Sequence, residues 1–161
     1  MFLCPQNNVR FRCRRGQALV EFALVLPFLI ILVLGIMEFG WLTKNQLTVA
    51  NAVREGARTA ALGKSTSEIT TTIENQTQSV AGSPDNLTVT LKRDDNDASN
   101  GYSYEITLGD TTDDEGNTVN DAPAGAMIQV TASIPNQPLT GFFPFLRNRV
   151  ITVSVVMRRE A

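Results

Sequence analysis

The hydrophobic pattern of the chain begins with a long apolar run. Residues 22–37 contain no formal charge, and extending the run back to Gln17 gives twenty-one residues with one carboxylate, Glu21. At about 1.5 Å per residue a helix of that length spans about 31 Å, close to the roughly 30 Å hydrocarbon core of a bilayer. The run therefore predicts a membrane-crossing helix over residues 17–37, and Pro27, which lacks an amide hydrogen, predicts a kink within it.

An amphipathic pattern follows this span without an intervening breaker. From residue 42 to residue 62 a stripe recurs at three- and four-residue steps, which predicts that the helix continues and ends near Gly63. Glu38 and Trp41 are expected at the outer membrane interface, where an aromatic ring with a polar edge is common. The stripe consists of Leu42, Gln46, Val49, Val53, Ala57 and Ala60.

Shorter periodic segments fill the rest of the chain. Ser65, with Glu68 three positions later, fits a capping box and predicts a short helix over residues 66–80. Alternation of apolar with polar side chains then predicts half-buried strands. A long helix, a short helix and a run of strands together predict an α+β fold with a mostly antiparallel sheet. The predicted strands cover residues 87–92, 102–108, 126–134 and 150–157.

Two segments outside this pattern are expected to be loops. Residues 109–125 are rich in acidic side chains, whereas residues 135–149 contain three prolines and the apolar run Phe142-Phe143-Pro144-Phe145-Leu146. Such a run is unusual on a surface. It either folds back over the core or forms an exposed contact for a partner subunit.

Charge is distributed unevenly along the chain. Residues 1–16 carry four arginines and no acid, while residues 17–161 have a net charge of −6. Basic residues beside a membrane span predict that this end stays cytoplasmic and that the remainder is exported. The acidic character of the remainder argues against a nucleic-acid partner.

The sequence offers little material for catalysis or cofactor binding. It has no histidine, and its two cysteines, Cys4 and Cys13, both lie in the basic N-terminal segment. No nucleophile elbow or phosphate-binding glycine loop is present, so we predict neither an enzyme nor a cofactor. Residues 85–121 carry a net charge of −8 and could supply oxygen ligands to calcium, but EF-hand spacing is missing and we predict no metal. The weak candidates for ligands are Asp94, Asp95, Asp97, Asp110, Asp113 and Asp114.

The start of the apolar run resembles a known processing signal. Gly16 follows Arg14-Arg15 and is separated from Glu21-Phe22 by four residues. This arrangement is similar to the processing site of type IV-type prepilins, in the form found in Flp pilins and TadE-like pseudopilins. The small-residue stretch at residues 55–61 and the C-terminal residues 156–160 also resemble TadE-like sequences. The resemblance implies that a membrane aspartyl peptidase cuts between Gly16 and Gln17, leaving Glu21 as the fifth residue and Glu21 and Phe22 as assembly or docking residues.

The resemblance also implies an organisation and a role. We expect a cytoplasmic leader at 1–16, a transmembrane helix at 17–37, its amphipathic extension at 38–62 and an exported α+β body at 63–161, in a pilin-like fold whose long helix packs on the sheet. The implied function is that of a minor pilin of a tight-adherence, Flp-type pilus. It would be a single-pass protein of the bacterial inner membrane that contacts lipid, and its incorporation into the extracellular, adhesive pilus is left open.

Its implied partners are the prepilin peptidase, other pilins and the inner-membrane assembly platform. The alternative is an unprocessed, membrane-anchored envelope binding protein.

Overall fold

Two helices and six strands make up the computed structural model, which describes residues 14–94, 104, 106–147 and 149–160. The chain divides into two compact units, one reaching Met37 and one beginning at Glu38. The predicted α+β class with an antiparallel sheet is confirmed. The elements are α1 (Arg14–Ala61), α2 (Thr66–Ala81), β1 (Thr88–Arg93), β2 (Ile106–Thr107), β3 (Asp110–Thr112), β4 (Thr118–Asn120), β5 (Met127–Pro135) and β6 (Val150–Arg158).

Helix α1 ends where the sequence predicts. The N–H of Gly63 donates to the carbonyl of Ala60 at 3.0 Å, and the N–H of Lys64 donates to that of Thr59 at 3.3 Å. These two bonds form a Schellman motif, which requires a left-handed residue at its turn. Gly63 has φ of 81° and meets that requirement. Pro27 lies inside α1, and the kink there stays a prediction.

The buried face of α1 beyond Glu38 differs from the predicted stripe at one position. Val49, Val53, Ala57 and Ala60 are buried as expected, but Gln46 is exposed and Asn45 is buried instead. The prediction for Gln46 is therefore wrong. Residues three or four positions apart lie on the same face of a helix. In this structure the buried face continues from Leu42 to Asn45, three positions later, and not to Gln46.

Helix α2 packs closely against α1. The Ser65 hydroxyl accepts the N–H of Glu68 at 3.3 Å, which confirms the predicted N-cap. Ile69 and Ile73 are fully buried. A Cβ atom placed on Gly56 of α1 would lie only 2.6 Å from Cδ1 of Ile73. The two helices thus approach each other at a position where no side chain fits without displacement.

The main sheet has the strand order β2-β1-β5-β6, and all of its strand pairs are antiparallel. Its central strand β5 alternates in burial, and one of its faces contributes to the core with β1, β6 and both helices. On the opposite face the hydroxyls of Thr131 and Ser154 lie 3.0 Å apart. The first, third and fourth predicted strands are confirmed. The buried residues of β5 are Ile128, Val130, Ala132 and Ile134.

The second predicted strand is shorter than expected. Strand β2 covers Ile106–Thr107, and Tyr104 lies outside it. The register explains this difference, because Ile106 pairs with Arg93, the last residue of β1. Residues 102, 103 and 105, and the turn expected at residues 100–101, lie outside the described residues.

The acidic segment 109–125 is not a simple loop, and that prediction is wrong. Strands β3 and β4 form a two-stranded hairpin within it, in which Thr111 pairs with Val119. Most side chains of this hairpin are exposed. Apolar alternation is therefore missing, and the hydrophobic pattern could not identify these strands.

Candidate functional site

The predicted processing and docking residues lie at the start of α1. Gly16 and Gln17 belong to its first turn, and Glu21 and Phe22 are exposed on the next. The side-chain amide of Gln17 donates to Glu21 Oε1 at 3.4 Å. This distance is long for an N–H···O bond, whose usual range is about 2.7–3.2 Å. The Glu21 carboxylate thus keeps most of its capacity to accept, and the roles of these four residues stay predictions.

Helix α1 presents a continuous apolar surface in this region. Every side chain from residue 17 to residue 33 is exposed. Within Gln17–Ala61 the helix contains a segment long and apolar enough to cross a membrane, and none of that segment is buried inside the protein. A surface of this kind requires lipid or another apolar partner to cover it.

Glu38 is buried inside the protein and anchors a distant segment, while its place at the outer membrane interface stays a prediction. Its side chain is 2% exposed. Oε1 accepts the N–H of Leu139 at 3.0 Å. Oε2 accepts the N–H of Thr140 at 3.0 Å and the Thr140 hydroxyl at 2.8 Å. The carboxylate therefore binds two consecutive backbone amides of a segment about a hundred positions away.

Hydrogen bonding keeps the Glu38 carboxylate ionised. Burial by itself would raise the pKa of Glu38, but the hydrogen bonds from Thr140 and Leu139 outweigh it and lower the pKa below its ordinary value. The signal in the sequence was the position of Glu38, four residues before Leu42 on the stripe that faces the core. Helical spacing could therefore have indicated its burial, but no local pattern could have identified its hydrogen-bond partners.

Trp41 supplies a second attachment for the same segment. Its indole N–H donates to the carbonyl of Gln137 at 3.1 Å. The ammonium group of Lys44 lies 4.4 Å from the centroid of the Trp41 ring, within the range of a cation–π contact. One turn of α1 therefore holds residues 137–140 at both ends.

The segment beyond these anchors forms an exposed aromatic loop, residues 139–146. Leu139, Phe142 and Phe145 are 47%, 54% and 68% exposed. Phe143 contacts Phe142 and Phe145 edge to face, with ring centroids 5.3 and 5.8 Å apart. The expectation that this run folds back over the core is wrong, and of the two alternatives the exposed one describes the loop.

The base of the aromatic loop is closed by a buried amide. The N–H of Asn136 donates to the carbonyl of Arg149 at 2.7 Å, and its side chain donates to the carbonyl of Leu146 at 2.9 Å. A compact surface loop with adjacent ends is typical of Ω-loops, which are frequently functional. The fold therefore fixes an apolar loop in an exposed position.

Three of the four described carboxylates among the weak metal candidates accept hydrogen bonds from backbone N–H groups. Asp94 is buried and accepts the N–H of Met127 at 3.2 Å. Asp110 accepts the N–H and the hydroxyl of Thr66, both at 2.7 Å, at the start of α2. Within the described ranges no three acidic, histidine or cysteine side chains form a metal-binding group. Asp114 is exposed, whereas Asp95 and Asp97 lie outside the described residues.

Asp113 organises the turn between β3 and β4. Its Oδ1 accepts the N–H of Asn117 at 2.7 Å and that of Glu115 at 3.0 Å. The bond from Asn117 is the main cause that lowers the pKa of Asp113. The Asp113 carboxylate therefore stabilises the turn between β3 and β4.

The comparisons with known proteins concern the N-terminal part of the chain. The model of the family described as TadE-like protein matches residues 16–58. This match begins at Gly16, covers the exposed apolar surface and includes Glu38 and Trp41. Comparison with curated proteins and with solved structures gave no significant match. Over residues 16–58, which make up most of helix α1, this chain is similar to the TadE-like family.

Proposed function

We propose that the chain is a minor pilin of a tight-adherence, Flp-type pilus, with a structural rather than a catalytic role. The observation that carries the proposal is the TadE-like match over residues 16–58. The unburied apolar segment of α1 supports it, because a pilin needs such a segment both in the membrane and among its neighbours in a fibre.

In this proposal a prepilin peptidase cleaves the precursor between Gly16 and Gln17. The new α-amino group belongs to Gln17, and Glu21 becomes the fifth residue. An ionised carboxylate inside a membrane span costs up to about 2.5–3.5 kcal/mol, the value for a helix centre on insertion scales, so it needs a partner. The α-amino group of a neighbouring subunit supplies one, and the pairing sets the register in which the incoming helix docks beside Phe22.

The remainder of the chain is exported from the inner membrane. The four arginines before Gly16 favour a cytoplasmic N-terminus. Its other partners are neighbouring pilins and the inner-membrane assembly platform. The chain from Glu38 onward then faces the envelope and carries the aromatic loop.

Thiol labelling tests the processing step. Both cysteines precede Gly16, so cleavage removes every thiol from the chain. Co-expression with the prepilin peptidase should abolish maleimide labelling of the membrane-bound protein, and a Gly16→Leu variant should keep its label. Equal labelling with and without the peptidase would overturn the proposal in favour of an unprocessed, membrane-anchored envelope protein.

A further inference from the structure

We infer that the aromatic loop is a second membrane contact, which places Leu139, Phe142 and Phe145 in the headgroup and upper acyl region of the bilayer that α1 crosses. This inference rests on the membrane insertion contained in the proposed function, but not on processing or pilus assembly. Its ligand is a phospholipid surface.

The attachment of the loop indicates where it lies. Glu38 directly follows Met37, the last residue of the predicted membrane-crossing segment. Because the Glu38 carboxylate binds the N–H groups of Leu139 and Thr140 at 3.0 Å, the loop begins where the chain leaves the apolar segment. At about 1.5 Å per residue, Trp41 lies about 5 Å further along the helix. The base of the loop is thus attached to the helical turn that directly follows the predicted membrane-crossing segment.

The exposed side chains of the loop suit that environment. Phenylalanine and leucine on one side of an interfacial element bury about 5–10 Å into the boundary between headgroups and acyl chains. The edge-to-face contacts of Phe143 with Phe142 and Phe145 hold the rings together as one apolar group. An exposed apolar group of this kind, fixed by hydrogen bonds at its base, marks an interaction surface.

Charge favours lipid as the partner. Residues 38–161 contain ten basic and fifteen acidic side chains, a net charge of −5. The two segments that meet here, residues 38–44 and 136–149, instead carry Lys44, Arg147 and Arg149 against Glu38 alone, a net charge of +2. Basic side chains beside exposed aromatic residues are the composition that binds anionic lipid surfaces.

Depth-dependent fluorescence quenching tests the inference on the full-length chain. Cys4 and Cys13 are first replaced by serine, and one cysteine is introduced for an environment-sensitive label. Phe142→Cys and Phe145→Cys report on the loop. Ile30→Cys serves as the reference inside the membrane, and Leu62→Cys as the reference in water, because Leu62 is 57% exposed at the far end of α1. Each protein is placed as a single chain in a nanodisc of phosphatidylethanolamine and phosphatidylglycerol.

The expected result is a specific depth. Lipids brominated near the top of the acyl chain should quench the labels at Phe142→Cys and Phe145→Cys, and lipids brominated near the chain end should quench Ile30→Cys more strongly. Aqueous iodide should quench Leu62→Cys several-fold more than either loop label. Adding Glu38→Gln, which replaces one carboxylate acceptor by a donor, should remove most of the lipid quenching at Phe145→Cys and leave Ile30→Cys unchanged.

Three outcomes would overturn the inference. The first is iodide quenching of the loop labels equal to that of Leu62→Cys. The second is protection from iodide that appears only when two chains share one nanodisc, which would assign the loop to a second copy. The third is a lack of lipid quenching at Ile30→Cys, which removes the membrane insertion that the loop requires. The assay uses neither peptidase nor pilus partners. Its result can therefore be interpreted even if the chain proves not to be a processed pilin.

Discussion

Glu38 and Thr140 are joined twice, although 102 positions of sequence separate them. Glu38 Oε2 accepts both the backbone N–H of Thr140 at 3.0 Å and its hydroxyl at 2.8 Å. A charged acceptor strengthens such bonds, and burial protects them from competition with water. This pair connects helix α1 to the aromatic loop.

Truncation of Glu38 should release the loop. Hydrogen bonds to charged groups contribute about 1.5–3 kcal/mol each, and Glu38→Ala removes three of them. We expect faster amide exchange in residues 137–146 with exchange in β5 little changed, measured by mass spectrometry on the full-length protein. Glu55→Ala, which truncates an exposed glutamate of the same helix, is the control. Unchanged exchange in the loop of Glu38→Ala would show that other contacts hold it.

The same anchor should respond to acid. Because the pKa of Glu38 is lowered in the folded protein, its contribution to stability is fully present above the unfolded pKa of about 4.3 and is lost as the pH falls through the folded pKa. Near neutral pH the Leu139 and Thr140 amides should therefore be more strongly protected from hydrogen exchange in the wild type than in Glu38→Gln. The two proteins should converge at strongly acidic pH. Convergence already near pH 7 would contradict the lowered pKa.

The contact between Gly56 and Ile73 predicts that a glycine-to-alanine substitution, which usually stabilises a helix, destabilises the protein at this position. In a helix interior alanine is favoured over glycine by about 1 kcal/mol. At Gly56, however, a Cβ atom would lie 2.6 Å from Ile73, and overpacking costs about 1–3 kcal/mol. Gly56→Ala should lower the melting temperature of the body. The matched control Gly40→Ala, whose Cβ meets nothing within 4 Å, should leave it unchanged or raise it. A higher melting temperature for Gly56→Ala would show that Ile73 moves away freely.

A pair of substitutions tests the docking role of Glu21. Glu21→Ala should insert slightly better than the wild type, because an ionisable group leaves the membrane span. It should still be cleaved after Gly16, but co-purification with partner pilins should fall sharply. Gln17→Ala removes the side-chain amide that contacts Glu21, yet keeps an α-amino group at that position after cleavage. It should therefore assemble like the wild type, once mass spectrometry has verified its processing.

The results of that pair separate two kinds of contact. Loss of assembly in Gln17→Ala would indicate that the side-chain amide matters. Normal assembly of Glu21→Ala would remove the physical basis for docking through this carboxylate.

Local periodicity by itself determined the helices and three of the strands. The end of α1 at Gly63 and the N-cap at Ser65 follow from chemistry within a few residues, and β1, β5 and β6 follow from alternation along one strand. The membrane-crossing segment likewise depends only on length and composition. These features could be read from the sequence because the interactions that specify them are short in range.

The tertiary structure alone decided which residues the long-range contacts bring together. Asn45 rather than Gln46 faces the core, a polar hairpin occupies the acidic segment, and β2 is short because β1 ends at Arg93. The carboxylate of Glu38 is an anchor only because the fold brings Thr140 to it, and Phe145 lies exposed in the loop that follows. Periodicity reports which face of an element is apolar, whereas these outcomes depend on pairings between distant segments, which leave no periodic signal in the sequence.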